Sequence, residues 1–166
     1  NGDVGKVANY IVRLEKTVSP YRLQIESPIE MDSQSSQIMS LSNLKNNLSK
    51  LGSKVTLIAD EWCNTLEDVI RFSEAGVVHM IQVKMPDLGA ITQSAKAVME
   101  IKQRGLLAYL GGSCNETDLN AKNTVHVALA TSADQVLAKP GMGVDEGISI
   151  MRNEESRIRA LIKPSI

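Results

Sequence analysis

Five short runs of apolar and β-branched residues alternate with amphipathic helical stretches along this chain, and no other property constrains its fold as strongly. Val4, Val7, Ala8, Ile11 and Leu14 recur at helical spacing before Pro20, which predicts a helix over 3–18. YRLQIE (21–26) then alternates with period two and stops at Ser27-Pro28, as a strand does. Ile38, Leu41, Leu44, Leu48 and Leu51 mark a second helix closed by Gly52, and KVTLIAD (54–60) is the next strand. Thr65 and Asp68 have capping-box spacing at the head of a helix that runs to Gly76. VHMIQVK (78–84), LLAYLGG (106–112) and QVLAKPG (135–141) are the remaining strands, separated by helices near 90–104 and 118–131. Ile148, Met151, Ile158 and Ile162 share one face of a last helix.

A helix followed by five βα units requires parallel strands with right-handed crossovers. Two α/β architectures accommodate five such strands: a complete doubly wound sheet, or the C-terminal part of an eight-stranded (β/α) barrel. The helix ahead of the first strand, and an opening NGDVGKVANYIV that has no methionine, favour the barrel portion. Residues 1–166 are then expected to be part of one catalytic barrel domain whose first strands and N-terminal capping domain lie outside this sequence. No low-complexity linker divides the chain.

Charge and cysteine usage exclude several function classes. Lys and Arg number 18 against 19 Asp and Glu, and the basic residues are scattered, so a nucleic-acid partner is not expected. No apolar run reaches the roughly 20 residues of a membrane helix, and no signal-peptide pattern opens the chain, which points to a cytoplasmic protein. Cys63 and Cys114 lack CxxC spacing and read as reduced thiols with packing or backbone roles.

In both architectures the ligand site lies at the carboxyl ends of the strands, and those ends are polar here. They carry Glu26, Asp60-Glu61, Gln82 with Lys84, the run Gly111 to Glu116, and Lys139-Pro140-Gly141. Side chains two apart share a face, so Glu26, Asp60, Gln82 and Lys84 can converge on one mouth. Two carboxylates beside an ammonium suit a hard divalent cation with oxygen ligands, magnesium best, and a lysine base whose pKa falls through burial and the nearby cation. Plainer readings stand beside these: solvated or capping carboxylates for Glu26 and Asp60, and an ion pair with Asp87 for Lys84. His79 falls at the stability end of its strand and His126 in the apolar run TVHVALA, so packing is expected of both. KPGMGVDEG lacks the glycine spacing of a phosphate loop and reads as a turn.

The strand-end words ADEWCNT (59–65), IQVKMPDLG (81–89), GGSCNET (111–117) and LAKPGMGVDEG (137–147), in this order, resemble the methylaspartate ammonia-lyase family over essentially the whole chain. That resemblance implies an enolase-type TIM barrel, a homodimer, Mg²⁺ with K⁺ as activator, and an amino-dicarboxylate substrate. The implied reaction is reversible loss of ammonia from threo-3-methylaspartate to give mesaconate. It implies Glu26 and Asp60 as metal carboxylates, Lys84 as the base for the C3 proton, and Gln82 as a ligand of one substrate carboxylate. Ser113 and Cys114, through hydroxyl and backbone amide, would hold the other. The sequence departs from the family pattern at Ser113 for threonine, Ser27 for glycine and Glu30 for aspartate. A third metal carboxylate and a histidine for the opposite substrate face would precede residue 1, so the 166 residues alone are expected to bind Mg²⁺ poorly and to show little lyase activity. The rival expectations are another enolase-type reaction, a dehydratase or racemase, and a non-catalytic five-stranded α/β binding module.

Overall fold

The computed structural model describes residues 3–114, 116–139 and 141–162. Helix α1 (Val4–Val18) leads in, its N-terminus capped by Asp3, whose Oδ1 accepts from the Gly5 and Lys6 amides at 2.9 and 3.3 Å. There follow β1 (Gln24–Glu26), α2 (Gln34–Lys50), β2 (Thr56–Ala59), α3 (Leu66–Ala75), β3 (Met80–Val83), α4 (Met85–Leu88), α5 (Ile91–Gln103), β4 (Leu107–Leu110), α6 (Asp118–Thr131), β5 (Gln135–Val136) and α7 (Val144–Ile162).

The expected capping box is present: Thr65 accepts from the Asp68 amide, and Asp68 accepts in turn from the Thr65 amide. Each strand is shorter than the sequence reading, β5 most, at Gln135–Val136 within the expected 135–141, and two further differences have local reasons. Helix α2 begins at Gln34 because the Ser33 hydroxyl caps the Ser36 amide, so the polar turn ahead of Ile38 is already helical. The single turn α4 breaks the expected loop after β3; Pro86 supplies the fixed φ of a first helical turn, and Gly89 ends it at φ 75°.

All four strand pairs are parallel, and the sheet order is β1-β2-β3-β4-β5, the order of the chain. A doubly wound sheet reverses direction at a switch point, and this one never does. The rival doubly wound sheet is therefore excluded, and the barrel portion favoured by the sequence is what forms: a singly wound run of βα units is a half-barrel.

The two sheet faces bury different things. Leu57, Ala59, Ile81, Val83, Ala108 and Leu110 face outward and pack with Leu41, Leu44, Val69, Phe72, Val98 and Ile101 of the surrounding helices. Phe72 is fully buried, and burying one such side chain contributes about 2 kcal/mol relative to leaving it in water. On the opposite face the alternate residues Ile58, Met80 and Tyr109 form a small separate cluster, with Leu137 against it. That second face is the barrel interior, and its strands carry the polar residues to its upper rim. Among the described residues no helix is long and apolar enough to cross a membrane.

Candidate active site

Register brings the rim together. Glu26 pairs with Ile58, Ile58 with Met80, and Gln82 with Tyr109, so Glu26, Asp60, Gln82, Lys84 and Gly111 all lie on the face that carries Ile58, Met80 and Tyr109. Asp60 and Lys84 stand one residue beyond their strands, where the backbone leaves the ladder and the side chains can turn toward each other.

They do meet: Lys84 Nζ lies 2.7 Å from Asp60 Oδ1 and 2.8 Å from Oδ2. The Asp60 side chain is 9% exposed and that of Lys84 27%. This geometry bears on two readings of Lys84. The ion pair of Lys84 is made with Asp60 across the strands, not with Asp87 three residues on. With these protein groups alone its pKa is raised: burial opposes the charge, but Asp60, with Asp87 and Glu61 behind it, outweighs burial and holds the ammonium. The expected fall presumed positive charge near Nζ, and the protein groups around it are negative.

Glu26 is exposed at the rim, yet its carboxyl is held above the usual range first by partial desolvation and then by the charge of Asp60, while Gln82 works the other way. The Tyr109 hydroxyl below is pushed up to about 12 by burial and by Glu26 and Asp60. The mouth thus concentrates negative potential that one ammonium does not cancel. Carboxylate oxygens in such a field are the donor chemistry a hard divalent cation takes. Glu26 and Asp60 fit two positions of its coordination; among the described residues no group of three or more His, Cys, Asp or Glu is arranged to hold a metal.

The loop after β4 forms the other wall. The Gly111 amide donates to Val83 O at 3.1 Å, carrying the ladder one step past the strand. A side chain at Gly111 would come within 2.6 Å of Gln82 Cγ and closer still to its amide, so glycine is what lets Gln82, itself 3% exposed, lie flat against the backbone. Ser113 is half-buried and Cys114 exposed. Asn115 and Pro140 lie outside the described residues.

Ser27 occupies a left-handed backbone conformation, φ 44°, at the position where the sequence pattern of the resembled family has glycine. Its hydroxyl donates to Glu61 and its amide to Ile58 O, which ties the loop after β1 to the end of β2.

Two buried residues escaped the sequence reading, Glu116 and Lys139. Their side chains are 1% and 0% exposed and lie 3.2 Å apart. Both were visible as strand-end polar residues, but no spacing rule joins positions on different strands. His126 also departs from expectation: instead of packing, its side chain is 45% exposed, with Nε2 2.6 Å from Glu154 Oε1. His79 sits just before β3, at the lower end, where its Nδ1 accepts from the Leu57 amide at 3.0 Å. Cys63 is buried in the outer core, as expected of a packing thiol. Met142 N donates to Lys139 O in a turn that enters α7, as read for KPGMGVDEG. An apolar cleft between α6 and α7, lined by Val125, Leu129, Ile148 and Met151, touches none of the rim residues.

Comparison with known proteins places this geometry. A family model described as methylaspartate ammonia-lyase C-terminus matches residues 1–164. Methylaspartate ammonia-lyase 1 of Carboxydothermus hydrogenoformans is 52% identical over 163 residues, which is 98% of this chain and 39% of that protein. The structure of β-methylaspartase from Clostridium tetanomorphum, a Mg complex, superposes with a TM-score of 0.91 at 44% identity, over 96% of this chain and 39% of that one. Methylaspartate ammonia lyase of Citrobacter amalonaticus, solved containing (2S,3S)-3-methylaspartic acid, gives 0.93 at 45% identity, over 97% and 39%. A dipeptide epimerase from Enterococcus faecalis, 19% identical with a TM-score of 0.69, shares the fold alone. The chain spans about two-fifths of the length of the curated relatives it matches.

Proposed function

The chain belongs to the methylaspartate ammonia-lyase family, and on that premise we propose that it carries the lysine side of a Mg²⁺-assisted elimination of ammonia from threo-3-methylaspartate to mesaconate. The observation that carries this reading is the direct contact of Lys84 with Asp60 at the ends of two parallel strands, on the same face as Glu26 and Gln82. Relatives solved as a Mg complex and with 3-methylaspartic acid support the metal and the substrate class. Residues 1–166 are read as part of a single catalytic barrel domain. The resemblance of the strand-end words further supports K⁺ as activator, a homodimer and a cytoplasmic setting.

Mg²⁺, held by Glu26 and Asp60, would supply a Lewis acid to the substrate carboxylate next to C3. Lys84 Nζ takes the C3 proton, and its place at the end of β3 fixes the face of the substrate from which the proton leaves. As an ammonium bound to Asp60 it cannot accept a proton, so the role requires Asp60 to be engaged by another cation and the amine released. Gln82 and the Ser113–Cys114 segment hold the two substrate carboxylates from adjacent strands, which aligns the C–H and C–N bonds of the intervening carbons. Glu26, its carboxyl pKa held up by desolvation and by Asp60, would be drawn toward its ionised form by a bound cation.

Lys84→Ala in the full-length gene product that contains this chain tests the assignment. Deprotonation at C3 is expected to fall by about a thousandfold or more while substrate binding remains measurable. Unchanged turnover removes Lys84 from the role. The isolated 166 residues, with two of the metal carboxylates, are expected to form no sustained mesaconate by proton NMR; sustained formation overturns the requirement for further ligands.

A further inference from the structure

Inside the wall formed by the β4 loop, a carboxylate and an ammonium are buried together where neither reaches solvent. Lys139 Nζ donates to Gly111 O at 2.7 Å and lies 3.2 Å from Glu116 Oε2, while Glu116 Oε1 accepts the Ser113 amide at 2.7 Å. One lysine from the end of β5 therefore fastens the start of the loop, and its carboxylate partner fastens the loop two residues later. The backbone between them lies directly on the pair: a side chain at Gly112 would meet Glu116 Cδ and Lys139 Cδ at 3.1 Å. On the other side of the same segment, Gln82 packs flat against Gly111.

A buried ion pair is a poor stabiliser, because withdrawing both charges from water costs about what their attraction returns. What such a pair does supply is direction, since each charge must be hydrogen-bonded at fixed angles. Here all the bonds go to the backbone that presents Ser113. With a fully buried side chain, Lys139 has no surface for substrate and can act only through the loop.

We infer that the Glu116–Lys139 pair is a positioning device: it fixes the distance between Ser113 and Gln82, and so the span between two carboxylates that the site accepts. This rests on the reading above that these two residues hold the substrate carboxylates. Loosening the pair lets the loop drift, which weakens binding of a rigidly spaced dicarboxylate more than it slows proton removal by Lys84 on a different strand.

Steady-state kinetics of the full-length gene product with threo-3-methylaspartate test this, with Lys139→Met, Glu116→Gln, the double variant and Ser113→Ala. Lys139→Met strands a buried carboxylate, and KM is expected to rise on the order of tenfold with kcat within about threefold. The double variant keeps an acceptor for the Ser113 amide and leaves no unpaired charge, so it is expected to recover most of that rise, a rescue that a purely structural pair would not produce in KM alone. If Lys139→Met does not fold, the same comparison is made between Glu116→Gln and the double variant. A raised KM in Ser113→Ala beside an unchanged KM in Lys139→Met, or KM and kcat changing only with the folded fraction, overturns the positioning role. An unchanged KM in Ser113→Ala removes the carboxylate-holding reading, and the proposal with it.

Discussion

Gly111→Ala puts the packing of the rim under direct load. The added methyl would stand 2.6 Å from Gln82 Cγ, where ordinary contact is 3.4 to 4 Å, so the Gln82 side chain must retreat by about 1 Å. At 3% exposure Gln82 has no solvent to retreat into, and overpacking of this kind costs about 1–3 kcal/mol. Replacing glycine returns about 0.5 kcal/mol by restricting the unfolded chain. The net expectation is destabilisation of about 1.5 kcal/mol, read from equilibrium urea unfolding by circular dichroism at constant m-value. Because Gln82 holds the Glu26 pKa down, that pKa should rise further in the variant, which carboxyl-carbon NMR follows. The double variant Gly111→Ala, Gln82→Ala removes the obstructing atoms and should cost no more than Gln82→Ala alone, within about 0.5 kcal/mol. Full additivity of the two changes, or a Gly111→Ala protein as stable as its parent, would refute the reasoning.

Three further outcomes follow from other parts of the structure. Cys114 is exposed and Cys63 buried with its thiol pushed up by burial and nearby carboxylates, so a thiol reagent should modify one cysteine in the folded protein and the second only in denaturant; two fast equivalents would contradict the burial. Glu154 accepts from Arg157 Nε at 2.9 Å and faces His126, and its pKa is lowered from 4.5 to about 2. A depressed carboxyl pKa stabilises above the unfolded value and loses that contribution as pH falls from 4.5 to about 2, so the stability difference between parent and Glu154→Gln should shrink through that window; a pH-independent difference would count against it. Thr65→Ala removes half of the capping box of α3 and should lower stability by about 1 kcal/mol in urea unfolding, with Thr65→Ser retaining most of it.

What could be read in advance follows from how far each signal reaches along the chain. Helical periodicity, caps and strand alternation are local, so the βα order and the shared face of Glu26, Asp60, Gln82 and Lys84 were accessible from spacing alone. Spacing alone did not separate a doubly wound sheet from a half-barrel, which depends on which strand lies beside which; the leading helix and the strand-end words pointed to the barrel, and the strand order agrees. The ion-pair partner of Lys84 was not legible for the same reason: the plainer reading offered Asp87, which is near in sequence, but parallel register sets Asp60 against it. Its charge state then followed its partner. Glu116 and Lys139 come from the ends of two different strands and meet only when the loop folds back, so their pairing leaves no trace in spacing. His126 shows the limit of reading an apolar run: neighbours Val125 and Val127 are buried, while the ring itself turns out to meet a charge on another helix.

The chain-ordered sheet has a kinetic side. Among the described residues each strand bonds only to the strands before and after it in sequence, so within this segment loop-closure entropy is spent in small, similar steps. The structure can therefore assemble by accretion, one βα unit on the last, much as a repeat array does. Amide exchange should mirror that history: slowest in β3, which has a strand on each side, and fastest in β1 and the two-residue β5, where among the described residues the ladder has a single neighbour.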